Sequence, residues 1–64
     1  MNDIGVVIKR ARLRKRLSQD EVAAKVGISR VQLSNIERGV HVPKFSTVEK
    51  LCEVLGIGAK EIMK

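Results

Sequence analysis

Sixty-four residues are enough for one domain, and a domain this small is expected to bury only roughly 60% of its unfolded surface and to lack a second lobe that could frame a deep catalytic cleft. Thirteen Lys and Arg against seven Asp and Glu give a formal charge of +6. Such a surplus suits an anionic partner, whether nucleic acid, an anionic membrane surface or an acidic protein, or simply keeps a surface soluble.

The residue inventory narrows this further. Cys52 is the only cysteine, which leaves no partner for a disulfide within these residues and excludes a disulfide scaffold. Phe45 is the only aromatic residue, so the stacking platforms that single strands and RNA use are missing, whereas a duplex groove needs none. Met1-Asn2-Asp3 lacks the basic start and apolar core of a signal peptide, and no apolar stretch approaches bilayer-spanning length. A cytoplasmic location is expected.

The chain reads as helical throughout, and no repeat or low-complexity tract interrupts it. The first helix is predicted from about Asp3 to Arg16. Ile4, Ile8 and Ala11 face inward there, with Arg12 and Lys15 continuing the same stripe. Six of the 13 basic residues crowd between Lys9 and Arg16; they supply phosphate attraction or form a solvated face. Leu17, just ahead of the next cap, is expected to be buried.

The second helix runs from Gln19 to Val26, opened by a capping box of Ser18 with Glu21 and ended by Gly27. Val22, Ala23 and Val26 face inward. The third runs from Arg30 to Arg38, opened by Ser29 with Gln32 and ended by Gly39, with Leu33 and Ile36 inward. Pro43 sits in the connection from Gly39 to Phe45, where it damages no helix. The fourth runs from Thr47 to Leu55 behind a box of Ser46 with Glu49, burying Val48, Leu51, Cys52 and Leu55 and ending at Gly56. A short fifth helix is predicted from about Ala59 to Met63.

The second and third helices are joined only by Gly27-Ile28-Ser29, the short glycine-led connection of a helix-turn-helix. Ala23 is small where the two helices cross, Gly27 tolerates a positive φ, and Val22, Val26, Ile28, Leu33 and Ile36 lock the angle between them. The run Leu17-Ser18-Gln19-x-x-Val22-Ala23-x-x-Val26-Gly27-Ile28-Ser29 resembles the repressor and Cro-like (XRE-type) helix-turn-helix family. So do Leu33-x-x-Ile36-Glu37-x-Gly39, Pro43 and the apolar spacing of the fourth helix. The resemblance extends from Ile4 to Ile62. It implies an all-α, compact five-helix, lambda-repressor-like DNA-binding domain over residues 1–64, with its helix-turn-helix at 19–38.

The face of the third helix opposite Leu33 and Ile36 carries Arg30, Val31, Ser34, Asn35 and Arg38. Arg30 suits a bidentate contact to guanine O6 and N7, and Asn35 one to adenine N6 and N7; Ser34 can reach a base or a phosphate. Val31 is either a partner for a thymine methyl or an ordinary surface valine. Gln19 opens the second helix, whose N–H groups and dipole favour phosphate. By resemblance to the family, Gln19 clamps the backbone and buttresses the first recognition residue, while Arg38 and Lys44 are further phosphate contacts. Gln32 could serve either role, but its place in the capping box already explains it and the structural role is favoured.

The expected DNA-binding set is therefore Gln19, Ser29, Arg30, Val31, Ser34, Asn35, Arg38 and Lys44. The resemblance further implies a partly buried ion pair of Arg12 with Glu37; the alternative is that both are solvated and unrelated.

One histidine, His41, and one cysteine make neither a zinc site nor a catalytic triad, so no metal, no cofactor and no enzymatic activity are expected, and no small-molecule pocket is evident. The expected function is a transcriptional regulator of double-stranded DNA, a repressor binding a palindromic operator as a homodimer and nucleoid-associated when bound. Ile57, Ile62 and Met63 are the apolar residues available for a dimer contact, although some of them are needed for the core of the monomer. The alternative is a protein-interaction or antitoxin-type module of the same fold with secondary DNA binding. Membrane binding is disfavoured because the first helix needs its apolar face for the core.

Overall fold

The structure, a computed structural model, describes residues 4–58. Among these residues it is all helical: α1 (Ile4–Arg14), α2 (Gln19–Val26), α3 (Arg30–Glu37) and α4 (Phe45–Leu55). The expected fifth helix, Ala59 to Met63, lies outside the described residues. No described helix is long and apolar enough to cross a membrane.

The helices enclose one core. Ile8 and Ala11 of α1, Val22 and Ala23 of α2, Leu33 and Ile36 of α3, and Leu51 and Leu55 of α4 meet there. Ile4, Val7, Leu17, Val26, Ile28, Cys52 and Val54 pack half-buried against it. α1 lies against α3 and α4, and α2 packs on the same two helices.

Ile57 is 8% exposed and belongs to this core. That removes it from the expected dimer contacts, because its side chain is needed to close the monomer beneath α4. Ile62 and Met63 lie outside the described residues.

The helix boundaries differ from the sequence expectation in instructive ways. α1 stops at Arg14 instead of Arg16 because Arg16 takes the left-handed conformation, with φ 57°. The Leu17 N–H then reaches back to the Arg12 carbonyl (3.1 Å) and Arg16 N–H to that of Leu13 (3.0 Å). These are the paired bonds of a Schellman closure, with an arginine where glycine is usual. Lys15 is consequently exposed and does not continue the inward stripe.

α3 ends at Glu37, with Arg38 as its cap, and Gly39 supplies the positive φ of 77° that turns the chain away. α4 starts at Phe45, two residues before the expected Thr47. Ser46 therefore lies inside the helix and cannot cap it. The position ahead of the helix is Lys44, without a side-chain cap, and residues 44–46 are exposed.

Of the three predicted capping boxes, one is complete. Ser18 Oγ accepts the Glu21 N–H at 3.0 Å and Glu21 Oε1 accepts the Ser18 N–H at 2.8 Å. The second is half made: Ser29 Oγ accepts the Gln32 N–H at 3.0 Å.

Gly5 does work that helical periodicity does not show. A Cβ at this position would overlap the Ile36 carbonyl oxygen and come within 2.7 Å of that of Glu37. Glycine costs about 1 kcal/mol within a helix, but here it lets the first turn of α1 lie directly on the backbone at the end of α3.

Candidate nucleic-acid interface

Behind α3 lies a buried polar network. Arg12 Nε donates to Glu37 Oε2 at 2.7 Å and Arg12 Nη2 to Glu37 Oε1 at 3.0 Å. The two side chains are only 9% and 2% exposed. A third guanidinium N–H, on Nη1, donates to the Leu17 carbonyl at 2.9 Å. Gln19 Nε2 donates to Glu37 Oε1 at 3.0 Å. One carboxylate thus joins α1, the first residue of α2 and the last of α3.

The hydrogen bond to Glu37 raises the Arg12 pKa further above its ordinary range, outweighing the desolvation that opposes it. Bidentate geometry of this kind is stronger and more directional than a single contact. It fixes the angle at which α3 is carried.

On the outer side of α3, Arg30 and Val31 are exposed, Val31 at 59%. Ser34 and Asn35 are half-buried, and Arg38 is exposed at the helix end. Arg38 Nη1 lies 3.4 Å from Asn35 Oδ1, and the Asn35 backbone carbonyl accepts the N–H groups of Val40 and His41 at 2.9 and 3.2 Å. Asn35 therefore holds the turn after α3 with its backbone while its amide lies beside a guanidinium.

Ser29 caps α3 with its oxygen as acceptor, which leaves its O–H as a donor. Gln19 is half-buried at the start of α2, one amide hydrogen spent on Glu37. Lys44 is exposed just ahead of α4.

Glu21, in the first turn of α2, is held below the usual carboxylate range, chiefly by the backbone N–H of Ser18 and then by its hydroxyl. Its neighbour Asp20 faces α3: Asp20 Oδ1 lies 3.6 Å from Arg30 Nε. Periodicity marks Asp20 only as an exposed residue of α2. Its proximity to Arg30 depends on the angle between α2 and α3, which spacing along one helix does not encode. Among the described residues, no cluster of His, Cys, Asp and Glu is placed to hold a metal ion.

Two short helices crossing over small and apolar residues, with a polar outer face on the second, define a helix-turn-helix domain. The sequence profile of the family described as Helix-turn-helix matches residues 8–62, and the chain belongs to that family. It is 37% identical over 60 residues to HTH-type transcriptional regulator y4dJ of Sinorhizobium fredii, an uncharacterized protein, spanning 94% of this chain and 78% of that one. It is equally identical, over 60 residues, to the immunity repressor of Bacillus phage phi105, of which it spans 42%. With the cryptic phage CTXphi repressor RstR of Vibrio cholerae it shares 34% identity over 56 residues, 88% of this chain and 50% of that protein. The chain thus spans about half the length of these two phage repressors.

Among solved structures, the N-terminal DNA-binding domain of SinR from Bacillus subtilis superposes with a TM-score of 0.88 at 33% identity, over 97% of this chain and 91% of that one. A variant of the restriction–modification controller protein C.Esp1396I, bound to its highest-affinity operator site, superposes with a TM-score of 0.81 at 28% identity, over 98% and 93% of the two chains.

Proposed function

We propose that this protein is a sequence-specific regulator of transcription, a cytoplasmic repressor that seats α3 in the major groove of double-stranded DNA. The observation that carries this is the division of α3. Leu33, Ile36 and Glu37 are buried and hold the helix, while Arg30 and Val31 are exposed and the half-buried Ser34 has no part in the core. Family membership and the operator-bound relative support the same reading, and a binding protein of this family needs no catalytic chemistry.

Within the groove, Arg30 addresses guanine O6 and N7, Asn35 adenine, and Val31 a thymine methyl. Ser29 and Gln19 at the helix starts, with Arg38 and Lys44 beyond α3, contact phosphates and set the register. A single unit reads one half-site, so two copies bind a palindrome with half-sites about 34 Å apart.

Selection of bound duplexes from a random pool at two salt concentrations tests this. An enriched palindrome is expected, with Arg30→Ala and Asn35→Ala each losing about 1–3 kcal/mol at one base position. Retention of no duplex, or retention without enrichment, overturns it.

A further inference from the structure

We propose that Asp20 is a positioning residue for base readout, holding the Arg30 guanidinium by its Nε edge so that Arg30 prefers guanine over other bases and over phosphate. This rests on the DNA-binding function proposed above and assigns to that site a residue outside its direct contacts.

Arg30 is the first residue of α3 and Asp20 the second of α2. Their contact, Nε to Oδ1 at 3.6 Å, bridges the two helices on the outside, where the side chains are 55% and 79% exposed. At that length and exposure the pair adds little to folding. The first turn of α2 already has its anion in Glu21, which completes the capping box. Asp20 is therefore surplus to the helix start. In a chain of charge +6, a carboxylate beside a DNA-facing arginine opposes the phosphates and weakens indiscriminate attraction.

Its return is selectivity. An arginine has two edges for bidentate bonding, Nε with one terminal nitrogen, and the two terminal nitrogens together. A carboxylate on the Nε side draws the first edge toward itself and leaves the second, the fork that matches guanine O6 and N7, to face the base. The same negative charge disfavours Arg30 turning aside to a phosphate. The discrimination arises from what the arrangement penalises as much as from what it attracts.

The test measures affinity for a selected duplex and for the same duplex with adenine in place of the guanine whose preference Arg30→Ala abolishes. Asp20→Ala is expected to lower the guanine preference about three- to fivefold, the size of an exposed charge-pair effect, while binding to an unrelated duplex tightens. Asp20→Asn should behave likewise and Asp20→Glu should recover part of the preference. In the Arg30→Ala background, Asp20→Ala should change the preference no further. A thermal melt on each variant separates these effects from stability. An unchanged preference in Asp20→Ala, or an equal loss with and without Arg30, overturns the role of Asp20 while leaving DNA binding intact. Failure of the unaltered protein to select any duplex overturns both.

Discussion

Replacing Glu37 with alanine removes the acceptor of three hydrogen bonds: Arg12 Nε, Arg12 Nη2 and Gln19 Nε2. Arg12, whose side chain is 9% exposed, would keep its charge and only the Leu17 carbonyl as a partner. Breaking a buried pair by deleting one member costs about 3–5 kcal/mol. In a domain of this size, 3 kcal/mol corresponds to a fall in Tm of about 12–24 °C. Total stability at about 0.05–0.15 kcal/mol per residue is roughly 3–10 kcal/mol, so the variant should lie at the edge of folding. Urea and thermal unfolding followed by circular dichroism measure this directly. The double variant Arg12→Met with Glu37→Leu should recover much of the loss, since no unpaired charge remains inside. A loss below about 1 kcal/mol in Glu37→Ala would refute the reasoning, because it would mean that Arg12 turns out to water at no cost.

Three further outcomes follow from the backbone and the caps. Gly5→Ala, favourable for a free helix, should destabilise by about 1–3 kcal/mol because its Cβ meets backbone and not a flexible side chain; an unchanged Tm would show that α1 can shift. Arg16→Gly should raise stability by about 0.5–1 kcal/mol by relieving the left-handed arginine, and a lowered Tm would count against strain there. The lowered pKa of Glu21 means that its contribution is present above the ordinary value of 4.5 and is lost as pH falls through the lower folded-state value. Glu21→Gln should therefore flatten the acid limb of a stability–pH profile between 4.5 and the lower folded-state value, and a limb of the same slope there would remove Glu21 from it.

The helix order and most of the core were legible because glycines and serines punctuate the chain and apolar residues recur at helical spacing. Val22, Leu33, Ile36 and Leu51 are fully buried, as their positions on those stripes require. What escaped was tertiary. Ser46 with Glu49 has the form of a capping box, yet the helix begins earlier because nothing at Lys44 or Phe45 prevents it once Pro43 is passed. Arg16 looks like one more helical cation, but the chain must reverse there to start α2, and no glycine is available. Gly5 reads as a weak helix residue until the end of α3 is found lying on it. Ile57 looked available for a second copy because its place in the core depends on how the chain turns at Gly56. At the candidate interface, the residue types of α3 could be listed from its outer stripe, whereas the Asp20–Arg30 contact and the link from Gln19 to Glu37 depend on the angle between helices.

The tie from Arg12 through Glu37 to Gln19 also bears on how such a protein can change its target. Because α3 is held from behind by Leu33, Ile36 and Glu37, its outward residues carry almost none of the burden of folding. On the function proposed above, exchanges at Arg30, Val31 or Ser34 alter which bases are preferred at little cost in stability. Duplicated copies of the gene would then diverge in the duplex they prefer by a few substitutions on this face, each step remaining a folded protein. Drift at Glu37 or Gly5 would have no such latitude.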